Sequence, residues 1–187
     1  MAATSSAAWA VGSTGGLPIQ TLAIHPTATG WQQVFSPNPS TGTEPNVLTG
    51  VTIASSSDAW AVGHYSTGSP DTEAMIVHWN GTSWSQETSP EPGPTTTILS
   101  KVAATSASSA WAVGYYGDGL TWRPLVLHWD GKSWTQAASP DLGGSAADDM
   151  LNDVTATSAS DAWAVGSGSG ALILHWDGTR WTHIPSP

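Results

Sequence analysis

Hydrophobic residues in this chain come in short runs, never long ones, and the runs recur in a fixed order. A first segment reads Leu-x-x-Val-x-Ala or close to it, at Leu48/Val51/Ile53, Leu99/Val102/Ala104 and Leu151/Val154/Ala156. A second reads Ala-Trp-Ala-Val-Gly, with its tryptophan at Trp9, Trp60, Trp111 and Trp163. A third is apolar and ends in histidine, as in Leu125–His128 and Leu172–His175, and a fourth opens on tryptophan and closes at Ser-Pro. Runs this short, bounded by Gly, Pro, Asn and Asp, predict strands rather than helices.

The phrase repeats with a period of 51, 51 and 52 residues. Four short strands in a period near 50 residues predict an all-β fold, a β-propeller of four four-stranded antiparallel blades. The chain divides into blades at about 1–37, 48–90, 99–140 and 151–187, within a single domain. His to Trp is six residues in every copy (His25/Trp31, His78/Trp84, His128/Trp134, His175/Trp181). Asn80-Gly81, Asp130-Gly131 and Asp177-Gly178 lie between strands 3 and 4 and predict two-residue hairpins. Blade 1 has Pro26 and a Thr-Ala-Thr-Gly turn there, which predicts a looser hairpin, and it lacks the Leu-x-x-Val part of its inner strand. The expected arrangement is a closed monomeric ring of four blades. The alternative is a segment of a larger ring, such as two chains of four blades each, or a fragment of a longer chain.

The strand-2 glycine, the polar aromatic position in strand 3 and the strand-4 tryptophan before a closing proline resemble kelch repeats, the blades of galactose-oxidase-type propellers. The resemblance runs through the whole chain, once per repeat. It departs where kelch blades carry a double glycine and this chain has Val-Gly (Val11-Gly12, Val62-Gly63, Val113-Gly114, Val165-Gly166), and where they carry tyrosine and this chain has histidine. It implies blade architecture and packing roles for the matched residues.

Charge narrows the functions available. The net charge is −10, with only four basic residues, Lys101, Arg123, Lys132 and Arg180. Binding to nucleic acid needs a basic patch to neutralise phosphates, so no nucleic-acid surface is expected. No apolar run approaches the roughly 18 residues of a spanning helix, so no membrane insertion is expected. The chain has no cysteine, which removes disulfides, thiolate nucleophiles and the crosslinked tyrosine of galactose-oxidase chemistry. A surface rich in Gly, Ser, Thr and Ala and poor in Lys predicts an extracellular, secreted bacterial protein whose signal peptide is not in this sequence.

Residues found once in the array are the candidates for function. Strand alternation puts the 2–3 and 4–1 loops at one end, and their lengths and sequences vary while the other end stays fixed. Variable loops on a fixed frame are where binding resides. Trp122 is the one tryptophan outside the repeat, and Tyr65, Tyr115 and Tyr116 follow strand-2 glycines, joined by His64, Arg123 and Asp118. Aromatic platforms beside carboxylates and an arginine suit a polyol such as a sugar; the competing reading is that these rings cover the loop bases. Asp148, Asp149 and Asp153 are weak calcium candidates, matching no dedicated calcium loop. The strand-3 histidines are expected to bond backbone or a neighbouring blade, and Asp58 and Asp161 to brace turns. No nucleophile elbow, zinc motif or arginine triad is present. The sequence therefore predicts a non-enzymatic module without cofactor, monomeric or homodimeric, binding a glycan or cell-surface ligand. The alternative is a self-assembling structural array.

Overall fold

The computed structural model describes residues 1–3, 8–68, 71–140, 148–168 and 170–186. Every regular element among them is a strand, and the strands form four four-stranded units. Sheet 1 holds β1 (Ala2–Ala3), β2 (Ala8–Ser13), β3 (Thr21–Thr27) and β4 (Gly30–Val34). Sheet 2 holds β5 (Asn46–Ser55), β6 (Asp58–Gly68), β7 (Asp71–Trp79) and β8 (Trp84–Glu87). Sheet 3 holds β9 (Thr96–Ser106), β10 (Ser109–Gly117), β11 (Trp122–Trp129) and β12 (Trp134–Gln136). Sheet 4 holds β13 (Met150–Ser158), β14 (Asp161–Ser167), β15 (Ala171–Trp176) and β16 (Trp181–His183). Within each unit the strands pair antiparallel in chain order, and a single parallel pairing, Thr72 with Thr96, ties the edges of sheets 2 and 3.

The sheets stack face to face, and this explains why strand 2 is apolar on both sides. On β6, Ala59 and Ala61 face sheet 1, where they join Trp9, while Trp60 and Val62 face sheet 3. The small face of one sheet thus receives the large face of the one before it. Each strand-2 tryptophan meets the strand-4 tryptophan of the next sheet edge to face: Trp9–Trp84 at 5.0 Å, Trp60–Trp134 at 5.2 Å and Trp111–Trp181 at 5.1 Å. Aromatic rings prefer this geometry because a positive ring edge meets a negative ring face.

The strand-2 glycine has a steric cause. A Cβ on Gly63, Gly114 or Gly166 would stand 1.9 Å from a strand-1 carbonyl oxygen, that of Val47, Ile98 or Met150. The ladder shifts register near this point, as between Val113 and Gly114, and the shift brings the strand-1 backbone into the space a side chain needs.

Three expectations need correction. The Asn-Gly and Asp-Gly dipeptides are not the central pair of their hairpins: the Asn80, Asp130 and Asp177 N–H groups donate to the carbonyls of Ser83, Ser133 and Arg180 at 3.2 to 3.4 Å, so the glycine and the residue after it lie between the bonded residues. Trp79 pairs with Trp84, leaving four residues between them, and only Gly81 has positive φ. The Asn80 side-chain oxygen accepts the N–H groups of Thr82 and Ser83, both at 3.0 Å, which fixes the loop without positive φ at the asparagine. The hairpin of sheet 1 is the tighter one: its ladder continues through Pro26–Trp31 to Thr27–Gly30, where Gly30 at φ 138° supplies the conformation.

The third correction is to the closed monomeric ring. Among the described residues, no strand of sheet 4 makes more than an incidental approach to a strand of sheet 1. Trp163 and Val165 of sheet 4 are 37% and 45% exposed, whereas their counterparts Trp60 and Val62 are 1% and 0%. Trp31 of sheet 1 is 51% exposed, against 4% for its counterpart Trp84. The four sheets form an open stack.

Candidate functional site

The antiparallel order places the 2–3 and 4–1 connections at one end of every sheet, and grooves open there at equivalent places. Beyond the strand-2 glycine, β6 pairs Tyr65 with Glu73, and β10 pairs Tyr116 with Arg123. The sheet 2 groove, of about 390 Å³, is lined by Tyr65, Glu73, Ala74, the 86–89 segment and Glu91. The sheet 3 groove, of about 400 Å³, is lined by Tyr116, Arg123, Pro124 and the 136–139 segment. Both share a frame: a tyrosine, a glutamine two residues past the strand-4 tryptophan (Gln86, Gln136), and the serine of Ser-Pro (Ser89, Ser139). They differ in charge at two matched positions, Glu73 against Arg123 and Glu87 against Ala137.

Sheet 2's groove is acidic and proton-poised. The Tyr65 hydroxyl donates to a Glu73 carboxylate oxygen, and burial together with that carboxylate raises the phenol's pKa. Glu91 accepts the Ala74 N–H at 3.3 Å. Part of the Glu91 side chain reaches the surface, yet crowding of its carboxyl by protein pushes it up to about 7, with a smaller push from the charge of Glu73 opposing its hydrogen bonds.

Sheet 4's groove, about 240 Å³, is lined by Asp149, His183 and Ser186 among others. It has no tyrosine: Gly168 stands two residues past the strand-2 glycine, and a Cβ there would meet Asp149 Oδ1 at 1.7 Å. The buried Asp149 carboxylate thus takes the space that a side chain at this position needs.

The residues singled out by the sequence do not form one constellation. Adjacent strand residues point to opposite faces. Tyr116 and Arg123 share the sheet 3 groove, and Tyr65 sits in the groove of sheet 2. Tyr115 and Trp122 lie on the other face of sheet 3, half-buried, edge to face at 5.3 Å; burial raises the Tyr115 phenol. Trp122 thus packs on Tyr115, on the opposite face from the groove that holds Tyr116 and Arg123. His64 points away from Tyr65, and burial lowers its imidazole's pKa. Asp118 caps its own loop by accepting the N–H groups of Leu120 and Thr121 at 2.9 and 3.0 Å, which holds its carboxyl low.

Nor are the calcium candidates gathered. Asp148 accepts the Trp122 N–H at 3.0 Å, and the Asp149 N–H donates to the Trp122 carbonyl at 3.1 Å. Asp153 lies within β13 at a register shift, accepting the Val154 N–H. Among the described residues no three His, Asp or Glu side chains are grouped to hold a metal.

Two of the four strand-3 histidines bond within their own sheet rather than to backbone or a neighbour. His78 meets Asp58 at 2.9 Å and His175 meets Asp161 at 2.8 Å. Each lies on its strand-2 tryptophan, as His78 on Trp60 with ring centroids 4.2 Å apart. Asp161 braces its turn side chain to side chain rather than to backbone, accepting from the Thr157 hydroxyl as well as meeting the histidine.

Gln86, Gln136 and His183 are groove residues that the sequence does not single out. A signal existed: Trp-x-Gln opens strand 4 in three copies (Gln33, Gln86, Gln136) and Trp-x-His in the last (His183).

No protein-family model matches this chain, and no curated protein does. Among solved structures, one described as "YCF48 bound to D1 peptide" aligns over 96% of this chain and 78% of that chain, at 12% sequence identity and a TM-score of 0.39.

Proposed function

We propose that this chain is a non-enzymatic binding module of kelch-like β-propeller type, displayed outside the cell, that takes a glycan on the 2–3/4–1 loop end. The observation carrying this reading is the pair of equivalent grooves in sheets 2 and 3, with the same Tyr/Gln/Ser frame and opposite charge. A tyrosine face stacks on the apolar side of a sugar ring, while glutamine, serine and carboxylate or guanidinium groups bond its hydroxyls. Volumes near 400 Å³ fit a ligand of one or two sugar units. The groove acids of sheet 2 are engaged by the Tyr65 phenol, the Ala74 amide and the Ser89 and Thr97 hydroxyls, the kind of polar frame that orients a ligand's hydroxyls.

The test is a glycan array followed by calorimetry. Tyr65→Ala and Tyr116→Ala each weaken binding about 10-fold or more, with unfolding midpoints near that of the parent. If the array is silent, or both variants bind as the parent does, the reading fails. A second reading, a self-assembling array without a small ligand, is favoured by the exposed faces of sheets 1 and 4.

A further inference from the structure

We propose that those two exposed faces bind each other between two copies of this chain, sheet 4 of each copy docking head to tail on sheet 1 of the other. The argument rests on continuity with the three interfaces inside the chain. In each, a leading face carrying the strand-2 tryptophan and valine meets a trailing face carrying two strand-2 alanines, two strand-3 apolar residues and the strand-4 tryptophan.

Sheet 4 presents an unoccupied leading face, with Trp163, Val165 and Ile173 in the places of Trp60, Val62 and Ile76. Its His175 lies on Trp163 at 4.2 Å, the same stacking as His78 on Trp60. The face is therefore built in its docking conformation without a partner. Sheet 1 presents an unoccupied trailing face, with Ala8, Ala10, Leu22 and Ile24 only half-buried and Trp31 exposed. The two are the halves of one interface that the chain makes three times internally and leaves unmade once.

The contact is heterologous, because different surfaces meet, and such contacts close into rings when the rotation allows. Two copies satisfy both open faces at once and yield eight sheets in a ring. Trp163 then meets Trp31 of the other copy edge to face, as in the internal pairs. Pro26 replaces the tryptophan that follows histidine in the other repeats, so one aromatic contact is missing and the contact is weaker than the internal ones.

Sedimentation and light scattering test this on the whole chain. The parent protein runs at twice the mass of the 19.2 kDa chain. Trp163→Glu or Trp31→Glu alone raises the dissociation constant about 30-fold or more. Both residues face solvent in the single chain, so near-ultraviolet circular dichroism of the variants stays native. Mixing the two variants restores one of the two contacts, sheet 4 of the Trp31→Glu chain on sheet 1 of the Trp163→Glu chain, so the mixture associates more tightly than either variant alone. A parent that stays monomeric up to millimolar concentration, variants that dimerise like the parent, or a mixture that associates no better than either variant alone overturns the proposal. Glycan binding by Tyr65 and Tyr116 is read separately, so the two proposals fail independently.

Discussion

At the scale of single residues, the strand-2 glycines are the strictest positions in the chain. Gly114→Ala forces a Cβ to within 1.9 Å of the Ile98 carbonyl oxygen, and β9 must move to admit it. The expected loss is on the order of 3 kcal/mol or more. Gly12 occupies the same repeat position but has no described atom within 4 Å of its Cβ place, so Gly12→Ala stays within about 0.5 kcal/mol of the parent. Urea unfolding of the two variants checks the contrast. Glu91 makes a second, pH-dependent case. Its folded pKa, about 7, lies above the ordinary carboxylate value. A raised acid stabilises the fold fully at pH below its unfolded pKa, and that contribution falls away as pH rises through 7. Glu91→Gln should therefore flatten the pH profile of stability between about 4.5 and 7. A carbon-detected titration placing Glu91 near 4.5 instead would refute this.

At the scale of the element, the repeat phrase specifies its strands through alternation and its ends through side-chain oxygens. The loop between β15 and β16 is held by Asp177, which accepts the N–H groups of Thr179 and Arg180 at 2.8 and 3.0 Å and is lowered to about 2 by these and the Thr179 hydroxyl. A depressed acid contributes stability above its unfolded pKa, lost as pH falls toward 2. Asp177→Ala is expected to speed exchange of the Thr179 and Arg180 amides, while Asp177→Asn, the residue type that Asn80 supplies in sheet 2, keeps them protected. Hydrogen exchange on the three proteins decides it. Strand existence and order were legible because Ala-Trp-Ala-Val-Gly and the His-to-Trp spacing carry the face pattern directly. Turn type was not: Asn-Gly reads as the central pair of its hairpin, and the register across the loop moves that pair one residue on, to Gly81-Thr82. The site was legible in part. Tyr65, Tyr116 and Arg123 stand out as unique to their loops, but which face each takes depends on register, and that separated Trp122 and Tyr115 from them. The glutamines went unmarked because a polar residue in strand 4 looks like solvent-facing surface until the groove beneath it is known.

At the scale of the whole molecule, the stack has two unlike ends in another sense than its open faces. At the end of the 1–2 turns and 3–4 loops, the tip glycines are seated against serines: a Cβ on Gly81, Gly131 or Gly178 would meet Cβ of Ser57, Ser108 or Ser160 at 2.9 to 3.0 Å. The indoles following the strand-3 histidines reach the same turns, Trp129 donating to the Ala107 carbonyl at 3.0 Å and Trp176 to the Ala159 carbonyl at 3.1 Å. An inserted residue here lifts a glycine off its seat and pulls an indole from its carbonyl together. Among the described residues the opposite end has no such repeated lock, and its strand 2 to strand 3 spans already differ in length from sheet to sheet. Change in this molecule is thus channelled to one end. A designer or a mutating lineage lengthens the connections beside Tyr65 and Tyr116 while the far end keeps the register of all four sheets.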